Sequence, residues 1–134
     1  MTSEHVLMID THQAIPFTVA DGGAIPKGSL LTMSDPMTAA LTTTKEAIIA
    51  GVAKTEKIAL DGKTKLAVYR GGVFKATASG SITVGDALIS STGGTNLLET
   101  AGVNGEDIVG EALETCTTGE TFLYQLNPFS MNLA

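Results

Sequence analysis

Apolar residues in this chain come in short runs broken at close intervals by turn-forming pairs: Asp21-Gly22-Gly23, Lys27-Gly28, Asp61-Gly62, Gly71-Gly72, Ser79-Gly80, Gly93-Gly94, Asn104-Gly105 and Thr118-Gly119. Regular turns between short runs rich in β-branched residues predict an all-β domain, a sandwich or barrel, with at most one or two short helices. Lys65–Arg70 and Val73–Thr77, joined by Gly71-Gly72, read as a hairpin with a two-residue connection. Val109–Glu114 and Thr121–Leu126, joined by Thr117-Thr118-Gly119-Glu120, read as a second pair. At 45–53 the pattern is ambiguous. Thr43 with Glu46 mimics a helix capping box, while Ile48-Ile49-Ala50-Gly51-Val52 reads as a buried strand; Gly51 tips 48–53 toward strand, with a helical turn near 36–41.

One echo runs through the pattern. Ile25-Pro-Lys-Gly28-Ser-Leu-Leu31-Thr-Met-Ser34 matches Ile82-Thr-Val-Gly85-Asp-Ala-Leu88-Ile-Ser-Ser91 at a constant offset. Shared turn chemistry is the simpler explanation, and a duplication the alternative.

The ends differ from the middle. Val6-Leu7-Met8-Ile9 and Ile15-Pro16-Phe17-Thr18-Val19 form an apolar stretch that a small domain need not cover. The expected organisation is an extended arm over 1–20, followed by one β-rich domain over 21–134. An arm of this kind can add a strand to a partner's sheet edge, with Val6, Leu7, Met8, Ile9, Ile15, Phe17 and Val19 as contacts; an ordinary first strand inside the domain is the alternative. The tail carries Phe129, Met131 and Leu133, candidates for a subunit interface.

Composition narrows the chemistry. With 134 residues, 43% hydrophobic and 16% charged, the chain suits one modest core, and its longest apolar run, Ala47–Ala53, is too short to cross a membrane. The N-terminus has no basic and apolar segments of the kind that direct export. Eight scattered Lys and Arg against a net charge of −6 argue against nucleic acid as a partner. Cys116 is the single cysteine, so no internal disulfide forms and a reducing compartment is expected. Both histidines, His5 and His12, lie near the N-terminus, which leaves a nucleophile elsewhere without a base; a solvated or interface position is expected for each. One cysteine and two histidines are poor material for a zinc site. Asp61-Gly62-Lys63-Thr64 resembles the end of a phosphate loop, but Lys57 stands where its first glycine belongs. No catalytic, cofactor or metal site is expected, and the protein is read as a binding and assembly module rather than an enzyme.

Ile49-Ala-Gly-Val-Ala53, a connector, and Thr64-Lys-Leu-Ala-Val-Tyr-Arg-Gly-Gly-Val-Phe-Lys75, preceded by Gly28-Ser-Leu-Leu-Thr32, resemble in kind and order the lambda-type head decoration proteins, the cement proteins of tailed bacterial viruses. The resemblance covers roughly residues 22 to 90. It implies a small β-tulip-like barrel, assembled as a homotrimer on the outer surface of the virion, that clamps neighbouring major capsid proteins, needs no cofactor, and uses residues of about 4–19 as its capsid-binding arm. A β-rich tail or carbohydrate-binding module is the alternative, against which the lack of tryptophan counts.

Overall fold

A computed structural model describes residues 4–34, 37–42, 48–91, 96–102 and 107–130. Its elements are all strands: β1 (Val6–Ile9), β2 (Ile15–Thr18), β3 (Leu30–Met33), β4 (Ala39–Leu41), β5 (Ile49–Ala53), β6 (Lys65–Tyr69), β7 (Gly72–Thr77), β8 (Ala87–Ser90), β9 (Leu98–Thr100), β10 (Asp107–Ala112) and β11 (Thr121–Ser130). They form two antiparallel sheets, ordered β2-β6-β5-β3-β4 and β1-β7-β11-β10-β8-β9. The fold is all-β, as expected. Strand β5 falls where 48–53 is expected, and the expected β10–β11 pair forms, with Gly110 opposite Leu126 and Ala112 opposite Tyr124.

Two expectations fail. The stretch expected as a helical turn contains strand β4, with Pro36 outside the described residues, as are Thr43, Glu46 and the glycine turns at 93–94 and 104–105. The first hairpin is not one. Strand β6 pairs with β2 and β5, whereas β7 pairs with β1 and β11 in the other sheet. Gly71-Gly72 is therefore a crossing between sheets. Gly72 takes φ +115, a conformation that favours glycine, and a Cβ there would stand 3.0 Å from the Ile9 carbonyl oxygen.

The two sheets repeat one another. Leu31 opposite Gly51 recurs as Leu88 opposite Gly110; Ala53 opposite Val68 recurs as Ala112 opposite Tyr124; Phe17 opposite Leu66 recurs as Ala76 opposite Phe122. The Ile25–Lys57 bridge recurs as Ile82–Cys116, and the parallel bridge Thr18–Thr38 has a counterpart displaced by one residue in Ala78–Leu98. Strands β2 to β6 thus form one five-stranded unit and β7 to β11 a second, with β1 added to the edge of β7. The echo between 25–34 and 82–91 is the local trace of this duplication, so the simpler explanation gives way.

Each unit fills its own interior. Phe17, Val19, Leu31, Ala50, Leu66 and Val68 cluster in the first; their counterparts Ala76, Ala78, Leu88, Val109, Phe122 and Tyr124 cluster in the second. Large and small exchange places between facing strands, which keeps the filling near constant. Ala50 and Ala53 face the same interior although they are three residues apart, which strict alternation forbids. A bulge resolves this: Leu31 faces Gly51 while the next residue, Thr32, faces Ile49. The extra residue turns Ile49 and Val52 outward, where they meet the second unit, so every residue of β5 is buried.

The loops at 19–25 and 57–64 are tied by one buried lysine. Lys57 Nζ lies 2.9 Å from Asp21 Oδ1 and 2.8 Å from Asp61 Oδ1, and also donates to the carbonyls of Asp21 and Ile58. Hydrogen bonding from Lys57 holds the Asp61 carboxyl down at about 2. The Asp61 turn is therefore an anchor for Lys57. At the matching position of the second unit stands Cys116, whose thiol burial pushes up.

Candidate functional site

The residues expected as an arm divide sharply. Phe17 and Val19 are 1% and 2% exposed, sealed inside the first unit, because β2 is a full strand of that sheet; they hold the domain together and have no surface to offer a partner. The expected boundary at residue 20 separates no arm from the domain, since β1 and β2 each belong to one of its sheets. What stays available is β1 and Ile15.

Strand β1 lies antiparallel on β7, Val6 opposite Lys75 and Leu7 opposite Phe74. The register then slips, so that Ile9 faces Val73 and Met8 is extra. Without the slip Ile9 would turn inward beside Leu7. With it Val6, Met8 and Ile9 are all exposed, at 55%, 51% and 56%, while Leu7 packs on the core. Beside this strand runs a groove of about 660 Å³, lined among others by Val6, Leu7, Lys54, Tyr69 and Phe74, with Lys54 Nζ 5.9 Å above the Tyr69 ring. The outer edge of β1 pairs with no strand among the described residues, so its backbone is free to take one.

A buried histidine fixes β1 in place. His5, expected to be solvated or at an interface, is 4% exposed and makes two short side-chain bonds. Its Nε2 lies 2.7 Å from the Asn96 carbonyl, which only accepts, so Nε2 carries the proton. Nδ1 is then the acceptor for the Tyr124 hydroxyl, 2.6 Å away. Burial lowers the His5 pKa to about 4, against the smaller raising effect of the Asn96 carbonyl, and raises that of Tyr124 well above its usual range. Asn96 Oδ1 also accepts from the Leu30 amide at 2.9 Å, and the His5 amide donates to the Gly28 carbonyl. One network therefore ties the N-terminus to both units.

His12 is exposed and bonds to its neighbour Thr11, whereas His5 is buried, so among the described residues the two histidines share no site. Phe129 lies in β11 opposite Ile108, while Met131 and Leu133 fall outside the described residues. A second exposed apolar patch escapes sequence reasoning. Ile58 and Leu60, 64% and 78% exposed, stand on the loop that Lys57 anchors, with Leu60 at φ +59. Only the ion pairs, made across the fold, reveal that this loop is held in place.

Comparison with known proteins settles the family. The sequence profile of the phage cement proteins matches residues 9–126, nearly the whole of both units. The chain belongs to the phage cement protein family. This cement protein is accordingly a capsid-associated structural protein of a phage. No curated protein matches it in sequence. Among solved structures it is similar to the head fiber gp8.5 N base in bacteriophage phi29, at 17% identity and a TM-score of 0.55, covering 90% of this chain and 95% of that one. At that identity the likeness is one of fold. It spans both units of the cement protein.

Proposed function

We propose that this cement protein binds the outer surface of an expanded phage head as a homotrimer and stabilises it by clamping neighbouring major capsid proteins. The observation that carries the proposal is β1, an edge strand with three exposed apolar side chains and a groove at its side. Edge pairing supplies backbone hydrogen bonds, and Val6, Met8 and Ile9 supply apolar area that is costly to leave in water, roughly 1.5–3 kcal/mol for each side chain fully buried. Three subunits acting together multiply a modest footprint into tight attachment. Phe17 and Val19, buried in the first unit, do not belong to the contact. The tail residues Phe129, Met131 and Leu133 are proposed for the contact between subunits.

The test is co-sedimentation with expanded heads that lack the protein. Val6→Asp with Met8→Asp leaves the His5 and Leu7 anchors intact and is expected to weaken head binding at least tenfold, with unfolding behaviour close to that of the unaltered protein. Unchanged binding overturns the role of β1.

A further inference from the structure

The duplication gives the molecule an internal interface that can be read as a template. The first unit presents the outer side of its sheet, Leu30, Ile49, Val52 and Tyr69, to Phe74 and Leu126 of the second; all pack in or against one cluster, and the Tyr69 and Phe74 rings meet edge-on at 5.7 Å. The contact is heterologous, since each unit uses a different face. Both faces therefore recur once more in the chain, each without its counterpart.

By the register shared between the units, Leu30, Ile49, Val52 and Tyr69 correspond to Ala87, Ile108, Glu111 and Gln125. These four line a surface depression of about 250 Å³ on the second unit. Phe74 and Leu126 correspond to Ile15, 37% exposed, and half-buried Arg70 on the first unit. The side chains differ in a telling way. Inside the chain Val52 and Leu126 belong to one apolar cluster; at the unused faces the same two positions carry Glu111 and Arg70, an acid and a base. Arg70 donates through Nε to the Ala50 carbonyl, which orients its guanidinium at the end of the first unit's interior.

We propose that a second copy of this chain docks here, the Ala87–Glu111–Gln125 face of one copy, floored by buried Ile108, on the Ile15–Arg70 end of the next, with Glu111 paired to Arg70 across the contact. This contact repeats between chains the geometry that already joins the two units within one chain. Being heterologous, it closes into a ring or runs on as a filament. The inference rests on the reading of the protein as a capsid-bound homotrimer, which is the closed form. An acid and a base in place of two apolar groups also make the pairing selective, because like charges brought together there are repelled.

The experiment is sedimentation velocity on the purified full chain, with heat denaturation as a check on folding. Glu111→Lys, on an exposed side chain, is expected to weaken self-association at least tenfold while melting like the unaltered protein. Ile15→Lys on the opposite face is expected to do the same. Combining Glu111→Lys with Arg70→Glu is expected to restore association to within about threefold. Because Arg70→Glu gives up the bond to Ala50, Ala87→Arg is a second disruptive variant that leaves Arg70 in place. Association unaffected by Glu111→Lys and Ala87→Arg, or an unaltered protein that stays monomeric, overturns the inference. Intact association with no binding to heads instead counts against the capsid reading and leaves this contact standing.

Discussion

Replacing Gly51 by alanine is expected to cost about 3 kcal/mol or more of folding stability, a large share of the roughly 5–15 kcal/mol that holds a domain of this size together. A Cβ at this position would lie 2.0 Å from the Tyr69 carbonyl oxygen, and the backbone sits at φ +147, where a side chain is strained whatever the space. Neither neighbour can give, because the obstructing atom is backbone of a paired strand. Gly110, its counterpart in the second unit, stands 2.0 Å from the Gln125 carbonyl oxygen by the same construction, so Gly110→Ala is expected to destabilise comparably through the clash alone. Gly102→Ala is the control, since nothing lies within 4 Å of a Cβ there, and it is expected to change stability by less than about 0.5 kcal/mol. Urea unfolding followed by circular dichroism reads all three. Gly51→Ala within about 1 kcal/mol of the unaltered protein contradicts the bulge and the close approach it creates.

The second large effect is acid lability centred on His5. Its folded-state pKa is about 4, against an unfolded value of 6.5, so the unfolded chain binds a proton that the folded one refuses. Stability from this group is therefore complete above about pH 6.5 and is lost as pH falls from there toward 4. The loss amounts to about 3 kcal/mol over that window. A proton on Nδ1 also reverses the bond to the Tyr124 hydroxyl, which must turn to accept, and places a charge in the buried site that pins β1. Unfolding free energies measured from pH 7 to 4 for the unaltered protein and for His5→Asn give the test. The variant starts lower, having lost the network, but its curve is expected to be flatter by that amount. Parallel curves would show that His5 is not held neutral in the core.

Local alternation made part of this molecule legible from sequence. Strand β5 and the β10–β11 pair follow from apolar runs and turns whose partners lie nearby. The false hairpin at 65–77 shows the limit of that signal. A glycine pair between two alternating strands looks the same whether the chain folds back or crosses to another sheet, and only the long-range partners of Leu66 and Phe74 decide it. The duplication left just one readable trace, at 25–34 and 82–91, because each unit keeps the pattern of its interior while exchanging large and small residues, as in Phe17 for Ala76 and Leu66 for Phe122. The candidate site was half legible. Val6, Met8 and Ile9 are apolar and exposed, as an arm requires, but the bulge that turns Ile9 outward depends on pairing with β7. The anchors were invisible: His5 meets a tyrosine 119 residues away, and Lys57 finds Asp21 36 residues back.

The central claim is that this cement protein mechanically secures a phage head. It is tested most directly by heating expanded, DNA-filled heads that lack it, with and without the purified protein added, and following DNA release with an intercalating dye. The account predicts that added protein moves release to a higher temperature, saturating as the surface sites fill, and that the Val6→Asp, Met8→Asp variant gives little shift. Release at the same temperature with and without bound protein would contradict it.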